Sequence, residues 1–232
     1  MTGGALSLDA AYELGRDLER VHVSAGWRPA GWKLGFTNQS LWRRLGLDSP
    51  IFARIYRETL CDGAVAASGL VQPRIEPEVV FGIGAQVSTE ADADTVAAAV
   101  EWTAAGLEVV QCHFEDWELT PAEAVADAGL HAALAIGART EIDAAAVKGL
   151  ATASCDLICD GVLVASGCGT DVLGGPLDAL CWLVRALPDG LQAGEVVTTG
   201  TLTQAFPVET GQRWQHRLTA GIALEPVELA FR

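Results

Sequence analysis

Two glutamates flank a proline in the segment 73–81, which has the sequence PRIEPEVVF. Side chains of an extended strand alternate between its faces, so Glu76 and Glu78 would point to the same side. Carboxylates arranged in this way can each give one oxygen to a single Mg²⁺ or Mn²⁺ ion. Glu108 opens the apolar segment LEVVQC, where an unpaired carboxylate would be costly to bury. The three glutamates therefore predict a divalent-metal site, with a solvated strand face as the alternative for the pair in 73–81.

The first elements of the chain place a lysine at the junction of a strand and a helix. Leu and Ala residues at helical spacing predict a helix over 8–21 that begins after Ser7. A short strand over 30–36 follows, and Lys33 lies where this strand meets a brief helix capped by Asn38.

The rest of the chain contains more strand than helix. The carboxylate strand at 75–85 is followed by a predicted helix over 92–106, and Pro77, which lacks an N–H donor, favours a sheet edge or a bulge. Further strands are predicted at 107–112, 130–138, 152–161, 162–167, 194–202 and 212–231, with short helices at 121–127 and 176–187. These elements predict an α+β fold in which a mixed sheet surrounds a core with helices on one side. We expect one domain over 1–232, made of a small N-terminal helical annex that includes the Lys33 loop (1–60) and a β-rich body (61–232).

Composition limits the partners that the protein can have. The 232 residues carry a formal charge of −15, and 50% of them are hydrophobic. This acidity argues against nucleic acid and favours a small molecule, while an anionic substrate would need a cation or a lysine at the site. No apolar run reaches the roughly 20 residues that a membrane helix needs. The six cysteines lie in mostly apolar contexts with neither CxxC pairs nor a secretory leader, so we expect reduced thiols and a cytoplasmic protein.

Six segments occur in an order that resembles a known family. They are GWKLGFTN, PRIEPEVVF, GLEVVQCHFEDW, AVADAGLHAALAIG, VLGGPLDALCWLVRAL and AGEVVTTGTLTQAFPV. Together they resemble the 2-keto-4-pentenoate hydratase and 4-oxalocrotonate decarboxylase group of the fumarylacetoacetate hydrolase superfamily, from about Trp27 to the C-terminus. The resemblance implies a mixed β-sheet roll and a homo-oligomer.

The resemblance also implies roles for individual residues. Glu76, Glu78 and Glu108 match the family's ligands for Mg²⁺ or Mn²⁺. Lys33 matches the lysine beside the substrate, a 2-oxo or 2-hydroxy carboxylic acid that chelates the metal. Thr201 would donate its hydroxyl to the substrate carboxylate.

Leu34, which follows Lys33, and Leu130, which replaces a family serine, are expected to line the substrate. The hydratases of the group carry an acidic residue where this chain has Ile51, whereas the decarboxylases commonly have Ile there. Ala128 likewise replaces a family asparagine. The metal ligands are thus kept while their surroundings differ.

Two histidines lie near these altered positions. His113 and His131 could act as general acid or base at neutral pH, or each could be a structural histidine held by a backbone or carboxylate partner.

Three hypotheses for function follow. The first is a metal-dependent lyase that adds water to a 2-hydroxy-2,4-dienoate or its 2-oxo-enoate tautomer through a metal-stabilised enolate. The second is a 2-oxo acid decarboxylase or an acylpyruvate C–C hydrolase on the same scaffold. The third is a catalytically inactive protein that binds the metal and a 2-oxo acid.

Overall fold

The computed structural model describes residues 6–219 and 224–232. Besides the predicted elements it has strands at 51–56, 60–61, 64–65, 140–141 and 206–207 and a helix at 144–149, where none was predicted. The α-helices are α1 Leu8–Ser24, α2 Trp42–Leu45, α3 Ala93–Ala98, α4 Pro121–Ala126, α5 Ala144–Gly149 and α6 Pro176–Ala186. The strands are β1 Pro29–Gly35, β2 Ile51–Tyr56, β3 Leu60–Cys61, β4 Ala64–Val65, β5 Arg74–Ile83, β6 Val100–Val110, β7 His131–Ile136, β8 Thr140–Glu141, β9 Ser154–Cys159, β10 Val162–Cys168, β11 Val196–Thr201, β12 Phe206–Pro207, β13 Arg213–Thr219 and β14 Val227–Phe231. The predicted strand segment 212–231 contains β13 and β14, and its residues 220–223 lie outside the described part of the chain.

The strands of the described residues form two mixed sheets. The larger sheet has nine strands, seven of them in the order β2-β1-β11-β5-β6-β7-β3, with β12 paired to β5 and β8 paired to β6. The smaller sheet has five strands in the order β10-β9-β13-β14-β4. Parallel pairs (β1 with β11, β3 with β7) occur beside antiparallel ones, so the predicted mixed sheet and α+β class are confirmed.

The main core covers one face of the larger sheet. Ile75, Val79 and Phe81 of β5 point into this core together with Leu180 and Leu183 of α6. Residues of the smaller sheet and of α3 and α5 complete it. Because side chains alternate along a strand, the residues between these apolar positions lie on the opposite face. Glu76 and Glu78 are therefore kept out of the main core.

A second, smaller apolar cluster holds α1 against the body. Ala11 of α1 is fully buried beside Ala122 and Val125 of α4, and Ile51 and Leu130 belong to the same cluster. The annex is more than helical, because β1 and β2 are members of the nine-stranded sheet. Lys33 consequently lies within strand β1 and not in a loop as predicted.

The predicted helix over 92–106 is wrong beyond its first turns. Helix α3 ends at Ala98, and β6 begins at Val100 and pairs with β5 along most of its length. The alanines suggested a helix by propensity, but Ala104 and Ala105 are fully buried within the sheet. Strand pairing on both sides of β6 outweighs the weak intrinsic preference of alanine.

The prediction of an edge position for Pro77 is also wrong. Strand β5 has β11 on one side and β6 on the other. The expected irregularity is found on the neighbouring strand instead, where the β11–β5 register shifts between Thr198 and Thr201. This shift changes the backbone of β11 beside Glu78.

No helix within the described ranges is both long and apolar enough to cross a membrane. The six cysteines are all free thiols.

Candidate active site

The three glutamates converge on the face of the large sheet that lies opposite the main core. Glu76 and Glu78 project from β5, and Glu108 of β6 is the direct cross-strand partner of Glu76. One carboxylate oxygen from each residue lies within 4.8 Å of the others. Glu78 and Glu108 are completely buried, whereas Glu76 is partly exposed. The cluster is therefore accessible from the side of Glu76.

Lys33 is the buried cation beside this cluster. Its side chain comes from β1 and the residue is only 2% exposed. The Nζ atom lies 3.2 Å from Oε2 of Glu108 and donates a hydrogen bond of 2.9 Å to the Gly129 carbonyl. Two strands, β11 and β5, separate β1 from β6 in the sheet, so this contact requires the sheet to curl around the site.

Burial and neighbouring charges shift the pKa values of the three glutamates and of Lys33 in different directions. Burial raises the pKa of Glu78 well above its ordinary value, and Glu108 adds to this effect. Burial likewise raises the pKa of Glu76 to about 7, although Lys33 opposes the shift. For Glu108 the effect of burial is outweighed by Lys33 and by a hydrogen bond from His131, so its pKa lies below the ordinary value. Burial would lower the pKa of Lys33, but the three glutamates together raise it.

The donor set fits a hard divalent cation. One lysine faces three carboxylates, which leaves an excess of negative charge. Oε1 of Glu78 and Oε2 of Glu108 are buried and accept no hydrogen bond from the described residues. An all-oxygen set of carboxylates is the kind that Mg²⁺ and Mn²⁺ prefer. The residues at this site therefore suit the ion that the family resemblance implies.

The irregular end of β11 orients Glu78. The Gly200 N–H donates a hydrogen bond of 2.8 Å to Oε2 of Glu78. Gly200 has φ +102°, and a Cβ atom there would lie 2.0 Å from Oγ1 of Thr37. Only glycine fits both the backbone angle and the space. Thr201, which follows, is the cross-strand partner of Glu78 and is partly exposed.

The two candidate histidines have different surroundings. His131 is buried, and its Nδ1 donates a hydrogen bond of 2.7 Å to Oε1 of Glu108. His113 has a side chain that is 54% exposed, and its Nδ1 lies 2.7 Å from Asp127. Within the described residues, His113 makes no hydrogen bond or ion pair with the three glutamates or with Lys33. The structure thus brings His131 to the site but not His113.

The two candidate leucines also separate. Leu34 is completely buried in the main core, on the face opposite Lys33. Leu130 lies in the second apolar cluster and follows Gly129, whose carbonyl binds Lys33. Leu130 is therefore next to the site, whereas Leu34 packs in the main core on the opposite face of the sheet.

Several residues of the site were not predicted. Thr198 is the neighbour of Lys33 on β11, and its buried hydroxyl has no hydrogen-bond partner in the described part of the chain. Thr59 lies 2.8 Å from Nε2 of His131. Strand alternation along β11 could have indicated Thr198 if the pairing with β1 had been known. Nothing in the local sequence marks Thr59, because its contact depends on the packing of distant segments.

A cavity of about 770 Å³ lies elsewhere, between α1, the edge strand β2 and the segment 186–195. Its wall includes Tyr12, Phe52 and Trp32, with the Arg54 guanidinium 3.5 Å above the Trp32 ring. None of the three glutamates lines it. The carboxylate site is therefore a separate feature of the molecule.

Comparison with known proteins identifies the family. The profile described as Fumarylacetoacetate (FAA) hydrolase C-terminal matches residues 58–225. The chain belongs to the fumarylacetoacetate hydrolase family.

Individual relatives narrow the comparison. The chain is 30% identical over 217 residues to 2-keto-4-pentenoate hydratase 2 of Dechloromonas aromatica, covering 89% of this chain and 80% of that protein. It is also 30% identical over 221 residues to 2-hydroxyhexa-2,4-dienoate hydratase of Comamonas testosteroni, covering 90% of this chain and 81% of that protein. The structure of 4-oxalocrotonate decarboxylase from Pseudomonas putida G7, complexed with magnesium and adipate, superimposes with a TM-score of 0.89 at 25% identity, over 97% of this chain and 86% of that one. The resemblance, the fold class and the expectation of an enzyme are confirmed by these matches.

Proposed function

We propose that this chain is a divalent-metal-dependent hydratase that adds water to a 2-hydroxy-2,4-dienoate or its 2-oxo-enoate tautomer. The observation that carries the proposal is the convergence of Glu76, Glu78 and Glu108 beside the buried Lys33. Its support from relatives is the 30% identity to two dienoate or pentenoate hydratases across about nine tenths of the chain.

Glu76, Glu78 and Glu108 would hold one Mg²⁺ or Mn²⁺ ion. When bound, the ion supplies Lewis-acid stabilisation of the negative charge that develops on the enolate of a 2-oxo acid. The partly exposed Glu76 leaves the cluster accessible to a small carboxylic acid, and the burial of the other two glutamates limits water around them.

Lys33 is the group of the chain best placed to hold the substrate. An ammonium group has three N–H donors. One donates to the Gly129 carbonyl and one points towards Glu108, which leaves the third for a substrate carboxylate or enol oxygen. Without a metal ion the three glutamates raise the pKa of Lys33 and favour its ammonium form, which can donate to a substrate oxygen.

Thr201 of β11, the strand next to Glu78, would provide a second contact that orients the substrate. It lies at the partly exposed end of β11, directly opposite Glu78. A hydroxyl there can donate to a substrate carboxylate that Lys33 neutralises, and such paired contacts favour one orientation of a flexible dienoate.

The proposal is tested by direct product analysis. Protein stripped with a chelator is incubated with 2-hydroxypenta-2,4-dienoate, with and without added Mg²⁺ or Mn²⁺, and the product is identified by mass spectrometry. We expect a metal-dependent gain of one water. Full turnover in the stripped protein, or no hydrate at any metal concentration with this substrate or its methyl homologue, would contradict the proposal.

Decarboxylation of a 2-oxo acid is the second candidate. It is favoured by the similarity to 4-oxalocrotonate decarboxylase and by Ile51, which stands where the hydratases carry an acid. Ile51 is buried against the cluster that contains Leu130, so this side of the site is apolar. Release of CO₂ from a 2-oxo dicarboxylate such as 4-oxalocrotonate, with no hydrate formed, would assign this activity.

A further inference from the structure

A short chain of side chains reaches from the carboxylate cluster into the body of the protein. Glu108 accepts a hydrogen bond of 2.7 Å from Nδ1 of His131, and Nε2 of the same ring lies 2.8 Å from Oγ1 of Thr59. The side chain of His131 is 3% exposed and that of Glu108 is fully buried. The three groups form one continuous path inside the protein.

The contacts of His131 make it a support for Glu108. A carboxylate can only accept a hydrogen bond, so the Nδ1 side of the ring must donate to Glu108. Both ring nitrogens are thereby engaged by protein groups, and neither is directed towards a substrate. Fixing Oε1 of Glu108 on His131 leaves Oε2 on the side of Lys33, whose Nζ lies 3.2 Å away. His131 therefore determines how Glu108 presents Oε2 to the site.

Thr59 is itself firmly held. It ends a single 3-10 turn, Arg57–Thr59, and its Oγ1 lies 2.9 Å from the Tyr56 carbonyl oxygen. The hydroxyl has one proton, which it donates either to an unprotonated Nε2 of His131 or to this carbonyl, and in the second case Nε2–H of the ring donates to Oγ1. The next residue, Leu60, begins β3, which pairs in parallel with β7. Strand β7 begins at His131. The backbone that carries Thr59 is thus joined by strand pairing to the backbone that carries His131.

We propose that Thr59 is a positioning residue for the metal ligand Glu108 and that it acts through His131. The inference rests on the proposed function in one respect, that Glu108 binds the metal. Groups that orient a metal ligand without binding the metal themselves commonly contribute a factor of about 10 to 100 to metal affinity. His131 then has a positioning role and does not touch the substrate.

The test compares Mn²⁺ affinities by calorimetric titration in the absence of substrate. In Thr59→Val the hydroxyl is lost with little change in shape, and we expect Mn²⁺ to bind about 10-fold more weakly. Thr59→Ser keeps the hydroxyl and should stay within about threefold of the parent, which is at most about half of that effect in free energy. Thr152→Val is the matched control, because Thr152 also ends a 3-10 turn and its hydroxyl bonds to a carbonyl three residues earlier, in an exposed position.

A double variant separates positioning from general damage. Once His131→Phe has removed the ring nitrogens, Thr59→Val should change the affinity less than about twofold, since coupled residues are not additive. The proposal is overturned if Thr59→Val binds Mn²⁺ as the parent does, if Thr59→Ser is as weak as Thr59→Val, if Thr152→Val weakens binding equally, or if the parent binds no Mn²⁺. Weakened binding in Thr59→Val from a parent that binds Mn²⁺ but converts no dienoate would instead leave this inference standing and remove the proposed function.

Discussion

Glu108 stands directly opposite Glu76 across the antiparallel pair of β5 and β6. Like charges in such cross-strand positions destabilise a sheet. Burial adds to this cost, because Glu108 and Glu78 are completely shielded from solvent. The fold therefore tolerates an electrostatic cost at this point, which Lys33 offsets in part and a divalent cation would offset further.

Replacing Glu78 by Gln should have opposite effects on metal affinity and on stability. Mn²⁺ binding should weaken by more than about 100-fold, beyond the range typical of supporting residues, because a ligand itself is lost. The metal-free protein should become more stable, since a buried and poorly neutralised carboxylate is removed. Calorimetric titration and urea unfolding of the stripped protein measure the two effects. Glu101→Gln, on the exposed start of the same strand as Glu108, is the control for loss of charge.

Replacing Lys33 by Met should destabilise the metal-free protein by about 3 kcal/mol, because removal of one partner leaves the other charges buried without compensation. Added Mn²⁺ should restore part of this loss by supplying positive charge. Urea unfolding with and without Mn²⁺ checks the prediction. The exposed Lys148, which pairs with Asp94, provides a Lys148→Met control that should change little. Equal losses with and without the ion would refute the electrostatic explanation.

Gly200 and Gly194 make a matched pair for testing how Glu78 is held. Both have positive φ, but a Cβ at Gly194 would meet no atom within 4 Å, whereas one at Gly200 would collide with Thr37. Gly194→Ala should therefore cost only the left-handed backbone penalty of about 1–2 kcal/mol. Gly200→Ala should cost about 1–3 kcal/mol more through crowding. Gly200→Ala alone should also weaken Mn²⁺ binding, because the N–H that holds Glu78 is displaced. Urea unfolding and Mn²⁺ titration of both variants test this. Equal losses of stability, or equal Mn²⁺ affinities, in the two variants would contradict the prediction.

His216 should make the protein sensitive to mild acid. It is completely buried in β13, and burial lowers its pKa from 6.5 to about 4 despite the hydrogen bond between its Nδ1 and the Gly106 carbonyl. Below pH 6.5 His216 is protonated in the unfolded chain but stays neutral in the folded chain. The free energy of unfolding therefore falls as the pH falls towards 4. This group should remove about 2 kcal/mol between pH 7 and pH 5.

Comparison of the parent with His216→Gln isolates this effect, because other titrating groups are common to both proteins. The free energy of unfolding of His216→Gln should fall about 2 kcal/mol less over the same interval. Identical pH profiles for the parent and His216→Gln would show that His216 is not the responsible group.

Local sequence patterns were sufficient to predict that the three glutamates lie close together. Glu76 and Glu78 share a face because alternation is a property of any strand, and Glu108 could be recognised as an isolated acid in an apolar segment. The same local reasoning failed for residues 100–106. Their alanines favour a helix in isolation, and only the neighbouring strands β5 and β7 make them part of a sheet.

Long-range pairing also explains what was missed at the site. Thr198 reaches Lys33 through the parallel pairing of β1 and β11, and Thr59 reaches His131 through the packing of the β3 and β7 ends. Neither contact has a local sequence signal. Leu34 was expected near the substrate because it follows Lys33, yet alternation itself places it on the other face, in the main core.

The sheet that carries the glutamates divides the molecule into two functional halves. The large core lies on one face, and the carboxylates lie on the other, bordered by the small cluster of Ile51 and Leu130. Substitutions at these two positions would change the surroundings of the three glutamates without entering the main core. Under the proposed function, Ile51 and Leu130 are therefore the positions where a library for altered specificity should begin.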